Sequence, residues 1–186
     1  MGYKLAISGG QCTGKTTLAK ALSNRLDWEV SPEFARIAAA EGYGINKHAD
    51  ARSQTRIIQL QVDWETERED YNLICDRSPL DALAYALELH RRGRMSAKEL
   101  EILAAVARMW AQSYTLHIVP SPRDCRMEDD GVRWLDEAVR DRIHDRIITI
   151  ITALGLPYIE VSGTVEQRTE QVMGELRRRG IETEAD

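Results

Sequence analysis

Eight residues, Gly9-Gly10-Gln11-Cys12-Thr13-Gly14-Lys15-Thr16, constrain this chain more than any other stretch. They match the spacing GxxxxGK[ST] in full, between an apolar run and a helix-forming one. Glycines let the backbone wrap so that successive N–H groups point inward at an anion. The helix that follows adds the positive end of its dipole. Lys15 offers a point charge to the outer phosphates of a nucleoside triphosphate, and the Thr16 hydroxyl suits Mg²⁺. Gly10, Cys12, Thr13, Gly14, Lys15, Thr16 and Thr17 are therefore the expected phosphate-binding residues, for ATP with Mg²⁺.

A loop of this kind needs a strand before it and a helix after it, and the whole chain alternates in that way. Tyr3–Ser8, Trp28–Ser31, Tyr71–Cys75, Thr115–Val119 and Pro157–Val161 read as short buried strands. Helical spacing covers Thr16–Leu26, Glu33–Glu41, Ala51–Glu69, Leu80–Arg91, Ala97–Gln112, Leu135–Leu154 and Val165–Arg179. Strands separated by helices predict an α/β fold, a doubly wound five-stranded parallel sheet with helices on both faces, as in P-loop NTPases. In such sheets ligands bind beyond the carboxyl ends of the strands. The chemistry is thus expected just after residues 8, 31, 76, 119 and 161 of one domain spanning 1–186.

Two carboxylates fall at those places. Asp76 ends the apolar run Asn72-Leu73-Ile74-Cys75, where it can orient Mg²⁺ through its water shell. Arg77 and Ser78 follow, and Pro79 opens the next helix at a favoured first-turn position. Glu33, in Ser31-Pro32-Glu33-Phe34-Ala35-Arg36, should emerge on the same rim, with Arg36 one turn along its face. Glu33 there could orient an attacking hydroxyl or accept its proton. The residues alone leave open whether Glu33 or Asp76 is the base.

The loop 9–16, Pro32-Glu33-Phe34-Ala35-Arg36 and Asp76-Arg77-Ser78 together resemble P-loop nucleoside and nucleotide kinases. The acidic segment is similar to that of deoxynucleoside kinases, and Asp76-Arg77-Ser78 to the motif of deoxynucleoside and thymidylate kinases. The run Asp76-Arg77-Ser78-Pro79-Leu80-Asp81-Ala82-Leu83-Ala84-Tyr85 also resembles ribosylnicotinamide-kinase-like ATPase domains. The resemblance implies catalytic roles for Lys15, Glu33 (as base), Asp76, Arg77 and a lid arginine, Arg126. It further implies Thr16 and Asp76 at the metal, and Glu33, Arg36 and Arg77 at a nucleoside- or nucleotide-type acceptor.

The polar, turn-rich segment 121–134 is the expected lid, with Arg123, Arg126 and Arg133 as its candidate cations. Such arginines neutralise charge during phosphoryl transfer and help exclude competing water. Gly163-Thr164 is expected to pass an adenine ring, as in similar kinases. Phe34, Trp64, Tyr85 and Trp110 are core candidates that could also stack an acceptor base.

Composition narrows the alternatives. Net charge −5 disfavours DNA as the acceptor, as in a phage-type polynucleotide or base-hydroxymethyl kinase, although Arg91, Arg92 and Arg94 keep that reading open. A nucleotide-dependent switch is the third reading, and the NKxD segment of guanine-specific switches is missing. Three cysteines without a CxxC pair argue against a disulfide framework and a zinc site. No run approaches the roughly 20 apolar residues of a membrane span, and the first residues do not form a signal peptide, so a cytoplasmic protein is expected. A homodimer is compatible with the sequence and not decided by it.

Overall fold

The computed structural model describes residues 2–124 and 136–181. Five strands, β1 (Lys4–Ile7), β2 (Glu29–Val30), β3 (Leu73–Asp76), β4 (Leu116–Pro120) and β5 (Tyr158–Val161), form one parallel sheet in the order β2-β3-β1-β4-β5. Connecting them are α1 (Lys15–Leu26), α2 (Phe34–Ala40), α3 (Ala51–Thr66), α4 (Pro79–Arg91), α5 (Ala97–Ala111), α6 (Glu137–Ala153) and α7 (Val165–Arg178). Strand order reverses beside β1, which is the switch point where doubly wound sheets bind ligands.

Side chains alternate across the sheet, as a period of two requires. Leu5 and Ile7 of β1, Ile74 of β3 and Leu116 and Ile118 of β4 pack against Leu18, Leu22, Val172 and Leu176 of α1 and α7. The other helices cover the opposite face, where Leu80, Leu83, Ile143 and Ile147 are fully buried between α4 and α6.

Register places the functional strand ends side by side. Ile7 pairs with Asp76, so the loop leaving β1 and the carboxylate ending β3 meet at one edge. Asp76 belongs to β3, one residue beyond the predicted Cys75, and Tyr71 is exposed before the strand begins. Helix α3 stops at Thr66, short of Glu69: from Arg68 onward the bonds tighten to three-residue turns, Arg68 N–H to the Glu65 carbonyl and Tyr71 N–H to that of Arg68, and the Glu69 carbonyl accepts Gly2 N–H. Glu33 is the N-cap residue of α2, with an extended backbone and no side-chain hydrogen bond to the N–H groups of the first turn. The segment 125–135, which carries Arg126 and Arg133, lies outside the described residues. No helix among the described residues is long and apolar enough to cross a membrane.

Candidate active site

The loop after β1 wraps around a concavity of a shape that suits an anion. Cys12 (φ 56°) and Gly14 (φ 80°) both take the left-handed conformation, which turns neighbouring N–H groups toward one concavity. Gly10 has no room for a side chain, since a Cβ would lie 2.6 Å from the Arg140 carbonyl oxygen of α6. The Gly9 N–H donates to Asp81 Oδ1 at 3.1 Å, and Ser8 and Ser78 share a hydroxyl–hydroxyl bond of 2.7 Å. These contacts bolt the loop to the start of α4.

Lys15 sits in the loop and donates to the Gly9 and Gly10 carbonyls at 3.0 and 2.6 Å. Burial, seconded by the Arg77 guanidinium, pushes its pKa down to about 8 against the pull of Asp81, Asp76 and Glu33. Thr16 Oγ1 donates to Asp76 Oδ2 at 2.6 Å, so the hydroxyl and the carboxylate converge as two hard oxygen donors. That pair fits Mg²⁺, which takes one or two protein oxygens and completes its shell with phosphate oxygens and water. No cluster of three or more metal-ligating side chains exists among the described residues, so an all-protein cage is not on offer here.

Opposite the loop, Glu33 lies between two guanidiniums. Arg36 Nε donates to Glu33 Oε2 at 2.6 Å, and an Arg77 terminal nitrogen to Oε1 at 3.3 Å. Burial raises the Glu33 pKa, but Arg77 and Arg36 outweigh it and leave the carboxyl below its ordinary range. Arg77 also lies 3.7 Å from Asp81. Its backbone is left-handed (φ 93°), a conformation that costs a non-glycine residue about 1–3 kcal/mol. Gln61 holds it there by donating to the Arg77 carbonyl at 3.1 Å, and is itself held by Glu65 at 2.8 Å.

The loop, the Thr16–Asp76 pair and Glu33 line one cavity of about 480 Å³. The expected phosphate, metal and acceptor residues all reach it except Gly10, which packs under the loop against α6, whereas the lid candidate Arg123 lines a separate cavity with Arg140 and His144, and Gly163-Thr164 does not line the first. Of the four aromatics, Phe34 and Tyr85 face this cavity. Trp64 instead stacks edge-on against Phe34 under Arg68, and Trp110 N–H donates to Glu65. Arg91 and Arg92 both donate to buried Glu88, and Arg94 to the Lys47 carbonyl, at the end of α4 away from the cavity. Gly163-Thr164 is the turn that caps α7, with Thr164 accepting from Gln167 N–H.

Four residues here escaped the sequence reading. Asp81 announces itself only as the N3 partner of a capping box with Ser78, and the same carboxylate is what ties down Gly9. Gln11 lines the cavity with a buried carboxamide that has no hydrogen-bond partner among the described residues. Gln61 and Arg168 act on the site from beneath. Arg168 stands four and eight residues before Val172 and Leu176 on the buried stripe of α7, and a charge on an apolar stripe is a signal that could have been read.

Residues 4–168 match the AAA domain family, and the chain belongs to it. No curated protein sequence matches. Among solved structures, the deoxyadenosine kinase of M. mycoides with its products dCMP and dCDP bound superposes with a TM-score of 0.71 at 15% identity, covering 94% of this chain and 99% of that one. NadR in complex with NR gives 0.75 at 19%, covering 99% of this chain and 53% of NadR, so the chain spans about half of that protein. Thymidylate kinase from Candida albicans gives 0.69 at 15%, covering 97% and 93%. The fold is that of P-loop nucleoside and nucleotide kinases.

Proposed function

We propose that this chain is a phosphotransferase that moves the γ-phosphoryl group of ATP to a hydroxyl of a nucleoside-type acceptor. The observation that carries the reading is the 2.6 Å contact of Thr16 Oγ1 with Asp76 Oδ2, in a cavity that also contains Lys15 and the Glu33 carboxylate. Thr16 and Asp76 would hold Mg²⁺, which supplies neutralisation of phosphate charge. The backbone of 10–16 and Thr17 cradle the phosphates, and Lys15 meets the outer ones.

Phosphoryl transfer passes through a loose transition state, so positioning and charge compensation supply most of the acceleration. A carboxylate held below its ordinary range is a weak base toward a free alcohol. Glu33 therefore orients the hydroxyl first and takes its proton late, once bonding to phosphorus has made it acidic. Arg77 keeps Glu33 in place and faces the transferred group; Arg126 would act from the lid, and Arg36 steadies the other carboxylate oxygen.

Charge balance favours a hydroxyl over a phosphate as acceptor. Arg36 is paired with Glu33, and Arg77 with Glu33 and Asp81, so both guanidiniums near the acceptor already face carboxylates. A doubly charged monophosphate would need uncompensated cations there and would meet Glu33 instead. Fold likeness does not separate the two acceptors, since deoxyadenosine kinase, NadR solved with NR and thymidylate kinase all superpose.

A labelled-ATP screen over nucleosides, nucleoside monophosphates and oligonucleotides tests this, alongside calorimetry with Mg²⁺. Nucleosides should take label. Labelling of monophosphates alone overturns the hydroxyl assignment, labelling of oligonucleotides alone selects a DNA acceptor, and failure to bind ATP or GTP ends the phosphotransferase reading. Glu33→Gln should keep ATP affinity and lower kcat by about 10²–10⁴-fold; a rate within about threefold of wild type would remove Glu33 as base.

A further inference from the structure

Arg168 is 2% exposed, although arginine is among the residues least often buried. Burying a guanidinium is tolerated only when its donors are matched, and here they are matched by three separate parts of the fold. One terminal nitrogen donates to the Thr13 carbonyl of the phosphate loop at 2.7 Å. Nε donates to the Gly163 carbonyl, in the turn after β5, at 3.0 Å. The other terminal nitrogen reaches Asp124 Oδ2, after β4, at 3.1 Å. The same Asp124 oxygen accepts the Gly163 N–H at 2.8 Å, which closes the arrangement into a ring.

The Thr13 contact has a consequence for the cradle. A trans peptide is planar, so its C=O and the following N–H point in opposite directions. Arg168 draws the Thr13 carbonyl toward α7, beneath the loop, and this turns the Gly14 N–H the other way, into the concavity. The left-handed Gly14 (φ 80°) then carries the chain directly into α1. Without a donor under Thr13, that peptide could flip and present an oxygen where an anion should bind.

We infer that Arg168 is a positioning residue for nucleotide binding: it fixes the Thr13–Gly14 peptide so that the Gly14 N–H faces the phosphates, with Asp124 holding the guanidinium in place. This rests on the reading of the loop as a nucleotide site. Arg168 does not line the cavity and meets the loop only from beneath, so its effect belongs to nucleotide affinity and not to the acceptor or the chemical step.

Calorimetry of MgADP binding to wild type, Arg168→Met, Arg168→Lys and Asp124→Asn, each at a temperature well below its own Tm, tests the inference. Arg168→Met should weaken MgADP by about ten- to hundredfold and raise the KM for ATP in parallel, with kcat and acceptor KM at saturating ATP within about threefold. Arg168→Lys can reach one of the acceptors and should recover part of the loss. Asp124→Asn keeps the Thr13 contact and should cost less than Arg168→Met. A purely structural clamp would lower Tm and leave the affinities of all folded variants at the wild-type value, and that result overturns the inference. If Arg168→Met does not fold, the Lys and Asn variants decide the question by the same criterion. Wild type failing to bind MgADP would defeat the nucleotide-site reading itself, whereas wild-type binding unchanged in the variants defeats this inference alone.

Discussion

Glu65→Leu should be among the most damaging single substitutions outside the cavity. Glu65 is fully buried and accepts three hydrogen bonds, from Gln61 Nε2 at 2.8 Å, Tyr114 Oη at 2.6 Å and Trp110 Nε1 at 2.8 Å. Lys4 adds a cation at 3.7 Å and keeps its ammonium 5.0 Å from the Trp110 ring centre. Leucine matches the size of glutamate but accepts nothing. Tyr114 is itself buried, so its hydroxyl loses an acceptor that water cannot replace, at about 1–3 kcal/mol, while Gln61 loses one acceptor and keeps the Arg77 carbonyl and Tyr114 Oη. Loss of the charge opposite Lys4 adds to this, and relief of the buried carboxylate's desolvation subtracts from it. The net is about 3–5 kcal/mol, or roughly 10 °C in Tm for a chain of this length. Urea unfolding followed by circular dichroism measures it without relying on Trp110 fluorescence. Tyr114→Phe removes one donor and leaves Glu65 two others, so it should cost only about 1–1.5 kcal/mol. In the double variant the orphaned hydroxyl is gone, and the loss should fall short of the sum by about 1 kcal/mol. The reasoning fails if Glu65→Leu stays within about 1 kcal/mol of wild type, or if the two losses simply add.

Gly10→Ala would place a Cβ 2.6 Å from the Arg140 carbonyl oxygen, so α6 or the phosphate loop must move; a loss of about 1–3 kcal/mol and weaker MgADP binding should appear together in urea unfolding and calorimetry. Gly174→Ala is the control, since a Cβ there meets nothing within 4 Å in the middle of α7, and it should stabilise by about 0.5–1 kcal/mol. Glu88 gives a pH signature: hydrogen bonds from Arg91, then from Arg92 and Arg146, hold its carboxyl well below the usual range, in opposition to burial. A carboxyl lowered on folding contributes stability above its unfolded value near 4.3, and that contribution fades as pH falls through this value toward the folded one. The stability gap between wild type and Glu88→Gln should thus hold from pH 7 to 5 and narrow at pH 4 and 3; a constant gap would show that the arginines do not act through the charge.

The separation between what was legible and what was not follows the range of the interactions. The order of strands and helices rests on periodicity, which is local, and the predicted strands and helices differ from the observed ones only at their ends. Tyr71 and Glu69 show why ends are harder: one is left exposed and the other's carbonyl is captured by Gly2, a contact between segments far apart in the chain. Asp76 and Glu33 could be placed on one rim because parallel strands all end at the same edge, whatever pairs with what.

The sequence by itself determined a parallel α/β sheet with an anion-binding loop at its centre, a carboxylate closing β3 and another opening α2. Those features depend on residue type at short spacing, through glycine's conformational freedom and the period of two or 3.6. Only the tertiary structure decided that Arg77 joins Arg36 on Glu33, that Asp81 anchors Gly9 and that Arg168 reaches Thr13 across 155 positions. Each of these is a hydrogen bond whose partner is brought near by sheet order and helix packing. Spacing to Val172 and Leu176 marks Arg168 as facing inward, but which carbonyls and which carboxylate it meets there is settled only when the chain has folded.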